Sequence, residues 1–138
     1  MTTILQIMNA DRNLSMFSRG VKIAELENKL NEMGPFTILG PVNLAFNNLT
    51  SGTYDKLLDP ANRGKLLDLL SGYIISGKKM FYDFRNDQKL QSLNGKQLTV
   101  TVKNGETLIN GSKILAHNRQ ASNGVVHLLD KTYAVVLN

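Results

Sequence analysis

The sequence contains no cysteine among its 138 residues, which excludes disulfide bonds, thiolate metal sites and cysteine nucleophiles. No apolar run approaches the roughly 20 residues that a membrane-spanning helix requires. No basic-then-apolar leader opens the chain, so we predict no signal peptide in it. A chain of this length can bury roughly 65–70% of its unfolded surface. We therefore expect one domain over residues 1–138, with a core that needs no metal and no disulfide bond.

Basic residues outnumber acidic ones by 16 to 11, which gives a net charge of +5. They are spread from Arg12 to Lys131, and Lys78-Lys79 is the only adjacent pair. Nucleic-acid sites usually show clustered basic residues interleaved with aromatic ones. The pattern therefore indicates a solvated basic surface with weak attraction for anionic partners, and it argues against nucleic-acid binding.

The first part of the chain has the apolar spacing of helices. From Leu14 to Met33, apolar residues recur at steps of three and four. Gly20 is predicted to interrupt this pattern, which leaves one helix or two. Gly34-Pro35 is predicted to end it, and residues 36–39 then form a short strand candidate.

Three further helical segments are predicted before residue 80, and one of them is the apolar turn of Tyr54, Leu57 and Leu58. Asn43 follows Pro41 and is expected to cap a short helix, because its side chain can accept a hydrogen bond from an unpaired amide. An apolar stripe from Leu66 to Ile74 predicts a longer helix.

The last third of the chain has the alternation of strands. Leu98, Val100 and Val102 alternate with polar residues, and Asn104-Gly105 then predicts a hairpin with a type I′ turn. Three more Asn-Gly pairs predict further tight turns, at residues 94–95, 110–111 and 123–124. Segments 124–130 and 133–137 are expected to complete the sheet. A helical half followed by a strand-rich half predicts an α+β fold.

Three segments, in this order, resemble the motifs of the fasciclin domain family. The first covers residues 36–46, the second is the leucine-rich stretch 66–77, and the third comprises residues 109–111 and 121–130. In the second segment, Tyr73-Ile74 stands where the family has a tyrosine-histidine pair at the start of a strand. The residues that carry the first and third motifs are Phe36, Pro41, Asn43, Phe46, Asn123, Gly124, His127 and Asp130.

The resemblance implies a β-wedge of antiparallel strands with several helices packed over it. It also implies a non-enzymatic adhesion or interaction module, extracellular or in the cell envelope, that uses no cofactor. The implied partner is a protein or a cell-surface or matrix component, and the module would be a monomer or weak oligomer. In animal members the tyrosine-histidine segment is linked to integrin binding, which makes Tyr73 and Ile74 one candidate contact surface.

Polar residues of the third motif have structural interpretations as well. Strand alternation places His127 with Val125 and Leu129 on an apolar face, so we expect its ring to be buried and hydrogen-bonded. Asp130 is expected to accept hydrogen bonds from turn amides. His117 lies in a polar stretch and is expected to be exposed. A hydrolase centred on His127 is an alternative, although the chain has no G-x-S-x-G motif.

An aromatic segment supplies a second candidate contact surface. Phe81, Tyr82 and Phe84 lie close in sequence to the cations of Lys78, Lys79, Arg85 and Lys89. Aromatic and arginine side chains are favoured at the centres of protein interfaces. The structural alternative is an edge segment that packs half of its aromatic residues inward. A functional alternative is a site for acidic polysaccharide or another small ligand, whose binding would depend steeply on salt.

Overall fold

The computed structural model describes residues 2–133, which form six helices and seven strands. The helices are α1 (Ile4–Ala10), α2 (Ser15–Ile23), α3 (Glu27–Leu30), α4 (Asn43–Asn47), α5 (Thr53–Leu58) and α6 (Arg63–Ser71). The strands are β1 (Phe36–Pro41), β2 (Ile74–Ser76), β3 (Lys89–Gln91), β4 (Gln97–Lys103), β5 (Glu106–Ile109), β6 (Ser112–Ala121) and β7 (Gly124–Leu129). Across residues 2–133, none of the helices has both the length and the apolar content to cross a membrane.

The strands form one mixed sheet in the order β2-β1-β7-β6-β5-β4-β3. β1 and β7 run parallel, and the remaining neighbours are antiparallel. Parallel neighbours need a long crossover, and here the chain between β1 and β7 forms it. The two ends of the sheet meet where Ile75 pairs with Ser92 and the Leu93 amide donates to the Ile74 carbonyl oxygen at 2.9 Å. The predicted α+β wedge is confirmed, and one of its strand pairs is parallel.

The two central strands of the sheet are buried on both faces, as is usual for strands with other parts of the protein packed against each face. All six residues of β1 and all six of β7 are buried. On the helical face, a Cβ at Gly40 would lie 2.9 Å from Leu14, so glycine is needed for this close packing. Phe36, Pro41 and Phe46 of the first motif are likewise buried.

The break between the first helices is not where the sequence predicted it. Gly20 lies inside α2, and a Cβ there would come within 2.3 Å of the Tyr54 hydroxyl. Any side chain at position 20 would clash with the Tyr54 hydroxyl, so this position requires glycine. The chain instead turns at Glu25, whose φ of 61° lies in the left-handed region.

Two strands differ from the predictions that apolar periodicity gave. The helix predicted to continue to Ile74 ends at Ser71, and β2 follows, as the family resemblance implied. β6 was missed because its residues 115–120 carry mostly polar or exposed side chains. In the strand predicted over 133–137, Tyr133 has no strand pairing, and residues 134–138 lie outside the described residues.

All four Asn-Gly pairs lie at tight turns between antiparallel strands, as predicted, but the turn types differ. Positive φ at both residues, which a type I′ turn requires, occurs at Asn104-Gly105 and at Asn110-Gly111. At residues 94–95 only the glycine has positive φ. At the β6–β7 turn Ala121 pairs with Gly124, so the loop residues are Ser122 and Asn123, and the predicted tight turn is present one residue earlier than the Asn-Gly pair.

Asn123 joins the helices to the sheet through its side chain and its backbone. Its Oδ1 accepts the Ile4 amide at 3.0 Å, and its Nδ2 donates to the carbonyl oxygens of Leu30 at 2.7 Å and Glu32 at 3.0 Å. Its own carbonyl accepts the Phe36 amide at 3.0 Å. Four backbone groups from three segments are thus satisfied by one buried residue.

Two other motif residues bind backbone groups that the sequence did not indicate. Asn43 does not cap its own helix, whose N-cap is Val42 and has no side-chain hydrogen bond. Its Oδ1 instead accepts the Met16 amide at 2.9 Å, in the first turn of α2. Asp130 accepts the Lys113 amide at 2.8 Å, so its partner belongs to β6 and not to a turn.

We expect Asn123→Ala to lower the free energy of unfolding by about 3 kcal/mol, because it leaves two buried backbone groups and one partly buried group unpaired. Urea unfolding checks this. Asn28→Ala, at an exposed position on α3, is the matched control and should change stability by less than about 0.5 kcal/mol. Equal effects of the two substitutions would contradict the role of Asn123.

Candidate functional site

The aromatic segment forms a short turn between β2 and β3, which we call the aromatic turn (residues 80–85). Phe81–Asp83 is a single 3-10 turn, and the Asp83 carboxylate accepts the Met80 amide at 2.9 Å. In 3-10 geometry, residues three apart lie on the same side. Phe81 and Phe84 therefore both face the protein. Phe81 is half-buried and Phe84 is 5% exposed, whereas Tyr82 faces solvent and is 69% exposed.

A bulge in β6 holds the aromatic turn from one side. The pairing of β6 with β7 shifts between Ala116 and Arg119, and Asn118 has a φ of 60°. The Asn118 Oδ1 accepts the Phe81 amide at 2.8 Å. The His117 ring stacks on the Phe81 ring with centroids 3.9 Å apart and planes 15° from parallel. Two successive bulge residues thus fix the position of Phe81.

His127 on β7 supports both the bulge and the turn. Its ring is fully buried, its Nε2 lies 2.7 Å from the Lys79 carbonyl oxygen, and its Nδ1 accepts the Asn118 amide at 3.1 Å. Since the amide can only donate and the carbonyl can only accept, the ring is neutral with its proton on Nε2. The Phe84 ring meets it edge-on at 5.6 Å. The prediction of a buried, hydrogen-bonded histidine is confirmed.

Burial lowers the pKa of His127 below its ordinary value of 6.5. The hydrogen bond to the Lys79 carbonyl opposes this change, and the nearby His117 adds to it. Burial is the largest cause, because removing an imidazolium from water is unfavourable. His117 itself is exposed, as predicted.

Thr37 on β1 fixes the lysine segment (residues 77–79), which leads into the aromatic turn. Its hydroxyl donates to the Gly77 carbonyl at 2.7 Å and accepts the Lys79 amide at 2.8 Å. The sequence analysis missed both Thr37 and Asn118. A threonine inside an apolar strand was the available signal for Thr37, whereas no local pattern distinguishes Asn118.

Tyr73 and Ile74 do not form a surface, and their prediction as contact residues is wrong. Both are 0% exposed. The Tyr73 hydroxyl donates to the Tyr133 carbonyl and accepts the Tyr133 amide, each at 2.8 Å, and burial raises the pKa of Tyr73. The Ile74 side chain belongs to the hydrophobic core, and its backbone pairs with β1 on one side and contacts Leu93 on the other. Phe84 is also buried, so among the five predicted contact residues Tyr82 alone is exposed.

The described residues offer little for catalysis or metal binding. Residues 2–133 contain no cluster of three or more histidine or carboxylate side chains that could hold a metal ion. Both ring nitrogens of His127 are bound to backbone groups, which leaves neither available to act as a base. A cleft of about 240 Å³ has no acid or imidazole in its lining, which consists of Ala45, Asn48, Leu49, Lys131 and Thr132.

The comparisons with known proteins agree with this architecture. The family model for the fasciclin domain matches residues 12–133. The chain belongs to the fasciclin domain family. Protein sll1483 of Synechocystis sp. is 34% identical over 129 residues, which cover 94% of this chain and 71% of that protein. Rabbit transforming growth factor-beta-induced protein ig-h3 is 28% identical over 127 residues, 92% of this chain.

Among solved structures, a FAS1 domain pair from the insect cell adhesion molecule fasciclin I has a TM-score of 0.86 and 16% identity. The match covers 96% of this fasciclin domain and 51% of that chain. At this identity the likeness concerns the fold alone. The chain spans about half of that domain pair and 18% of ig-h3. Fasciclin domains are generally adhesion modules that lack enzymatic activity.

We expect Tyr82→Ala and Phe84→Ala to differ strongly in stability. Phe84 is 5% exposed and packs on His127, so its removal should cost about 3–5 kcal/mol. Tyr82 is 69% exposed, and its removal should cost less than about 0.5 kcal/mol. Urea unfolding of both variants measures the difference. Similar costs would show that the turn does not pack as described.

Stability should fall as the solution becomes acidic. Because the pKa of His127 is lowered on folding, the unfolded chain binds this proton more readily, so the contribution of the neutral ring is present above about pH 6.5. It is lost as the pH falls from there toward the folded-state pKa, with a slope of at most about 1.4 kcal/mol per pH unit. Urea unfolding at several pH values tests this. The His127→Gln variant should lack that part of the slope, and an unchanged slope would contradict it.

Proposed function

We propose that this chain is a non-catalytic interaction module that binds a protein partner at a cell surface or in an extracellular matrix. The observation that supports it most is the rigid presentation of Tyr82. Its aromatic ring is exposed while Phe81 and Phe84, on either side of it, are held by packing and hydrogen bonds. A residue displayed on an ordered turn loses less conformational freedom on binding than one on a mobile loop.

The surroundings of Tyr82 suit a protein interface. Aromatic side chains are enriched where interfaces are most tightly packed, with polar residues around them. Lys78, Arg85 and His117 are exposed and supply polar groups near the turn. Membership of the fasciclin domain family, together with 28% identity to rabbit transforming growth factor-beta-induced protein ig-h3, supports adhesion and an extracellular or cell-surface location for this chain.

A second candidate is binding of an acidic polysaccharide at the same face. The cations of Lys78, Arg85 and Lys89 support it, since all three are exposed and lie within or next to the aromatic turn. Charge pairs between exposed groups are screened by salt. Polysaccharide binding would therefore weaken steeply between low and high ionic strength, whereas contacts centred on Tyr82 would change little.

Attachment of the fluorescently labelled protein to the surface of the cells that produce it tests the proposal. We expect Tyr82→Ala to reduce attachment at least about tenfold, the loss typical of a central interface residue. Leu44→Ala is the matched control, because Leu44 is 64% exposed but lies on α4, which packs on the α2 helix. That variant should attach as the wild type does.

The same assay separates the two candidates. A Lys78→Gln, Arg85→Gln double variant should retain most attachment if a protein partner is contacted through Tyr82. Loss of attachment in that double variant, together with competition by heparin and a steep salt dependence, would favour the polysaccharide. Equal attachment of wild type and Tyr82→Ala would contradict the proposed protein contact through Tyr82.

A further inference from the structure

The contacts that position the aromatic turn converge on one buried imidazole. We propose that His127 is an acid-sensitive switch: a proton gained at its Nδ1 breaks the hydrogen bond to the Asn118 amide and releases the β6 bulge together with the aromatic turn. The switch would regulate the contact surface around Tyr82, and this regulatory role rests on the proposed function.

Protonation changes what the ring can bind. The neutral ring has one acceptor, Nδ1, and it is occupied by the Asn118 amide at 3.1 Å. The imidazolium has two donors and no acceptor. Two N–H groups would then face each other, and the His127 ring is fully buried, so its new N–H group cannot turn to water. The Asn118 amide must therefore move away, while Nε2 can continue to donate to the Lys79 carbonyl oxygen.

The bulge is the part of β6 that can move without disrupting the sheet. Ala116 and Arg119 pair with β7 on either side of it, whereas Asn118 binds the His127 side chain instead of a β7 backbone group. Segments with few ladder hydrogen bonds open at lower free energy than the core. Movement of residues 117–118 removes both the Asn118 hydrogen bond and the His117 stacking from Phe81.

The charged groups around His127 do not offer the imidazolium an anionic partner. On β6 the neighbouring groups are His117 and Arg119, and Arg119 is paired with the Asp11 carboxylate. In the lysine segment they are Lys78 and Lys79, and in the aromatic turn they are Arg85 and Asp83. The Asp83 carboxylate binds the Met80 amide. β1 contributes no titratable side chain. Lowering of the His127 pKa by burial agrees with this arrangement.

Binding and protonation are then linked. A partner that requires the ordered turn favours neutral His127, so its affinity falls as the pH decreases below about 6.5. For a single proton the fall is at most about tenfold per pH unit. Attachment would weaken in an acidic environment while the sheet remains folded.

Amide NMR spectra recorded from about pH 7.5 to about pH 5 test the switch without any partner. We expect the Asn118 and Phe81 amides to shift with one shared midpoint below about pH 6.5. The Leu108 amide, on the β4–β5 ladder and two strands away from β7, should shift little over the same range. The nitrogen resonances of the His127 ring should show Nδ1 gaining its proton at that midpoint.

Two variants assign the titration. In His127→Gln the shared shift of Asn118 and Phe81 should disappear, and in His117→Gln the Asn118 shift should remain. The wild-type ring resonances decide the question even if His127→Gln fails to fold. Different midpoints for the His127 ring and the Asn118 amide would overturn the proposal. So would loss of all amide signals together, which indicates global unfolding. Failure of the proposed function appears instead as absent attachment at neutral pH.

Discussion

One buried imidazole joins three parts of the chain through hydrogen bonds to their backbone. His127 belongs to β7, and its ring binds the backbone of the lysine segment and of the β6 bulge. A buried polar ring is favourable only when both nitrogens are paired. The lysine segment and the bulge must therefore lie where they do, and the position of the aromatic turn follows from them.

Asparagine side chains extend the same principle to the helical layer. Asn123 binds backbone groups of α1, of α3 and of the segment that follows α3, and Asn43 binds an amide in the first turn of α2. Helix ends leave amides and carbonyls without partners inside the helix. In this protein, side chains from the sheet and from a neighbouring helix satisfy some of these groups. The backbone groups that these motif residues bind are therefore far away from them in the sequence.

This explains which parts of the molecule could be predicted. The prediction of a strand from Leu98, Val100 and Val102 uses only local alternation, and that strand is present as β4. The two type I′ turns depend on two adjacent residues and are also present. The partners of Asn43 and Asp130 come from other elements, so a local rule assigned them incorrectly. The burial of His127 was predictable from alternation, but its partner Asn118 was not, because a bulge shifts the register by amounts that sequence spacing does not reveal.

The error over Tyr73 and Ile74 has a different physical origin. They were predicted as a contact surface because the corresponding segment of animal family members is linked to integrin binding. The exposure of the two side chains depends instead on what packs against them in this protein. Here β2 lies between β1 and Leu93, and Tyr133 packs on the Tyr73 ring with centroids 4.4 Å apart. A motif can keep its structural place in a fold while its side chains are inaccessible.

The aromatic turn shows how one short segment can be both core and surface. In a 3-10 turn, Phe81 and Phe84 are aligned toward the protein, and Tyr82 must then project away from it. The apolar burial of the two phenylalanines stabilises the same geometry that exposes the tyrosine. An exposed aromatic residue on a mobile loop would lose conformational entropy on binding, whereas much of that loss has occurred here during folding. Any change that weakens the contacts of Phe81 or Phe84 therefore also reduces the affinity of a partner that binds Tyr82.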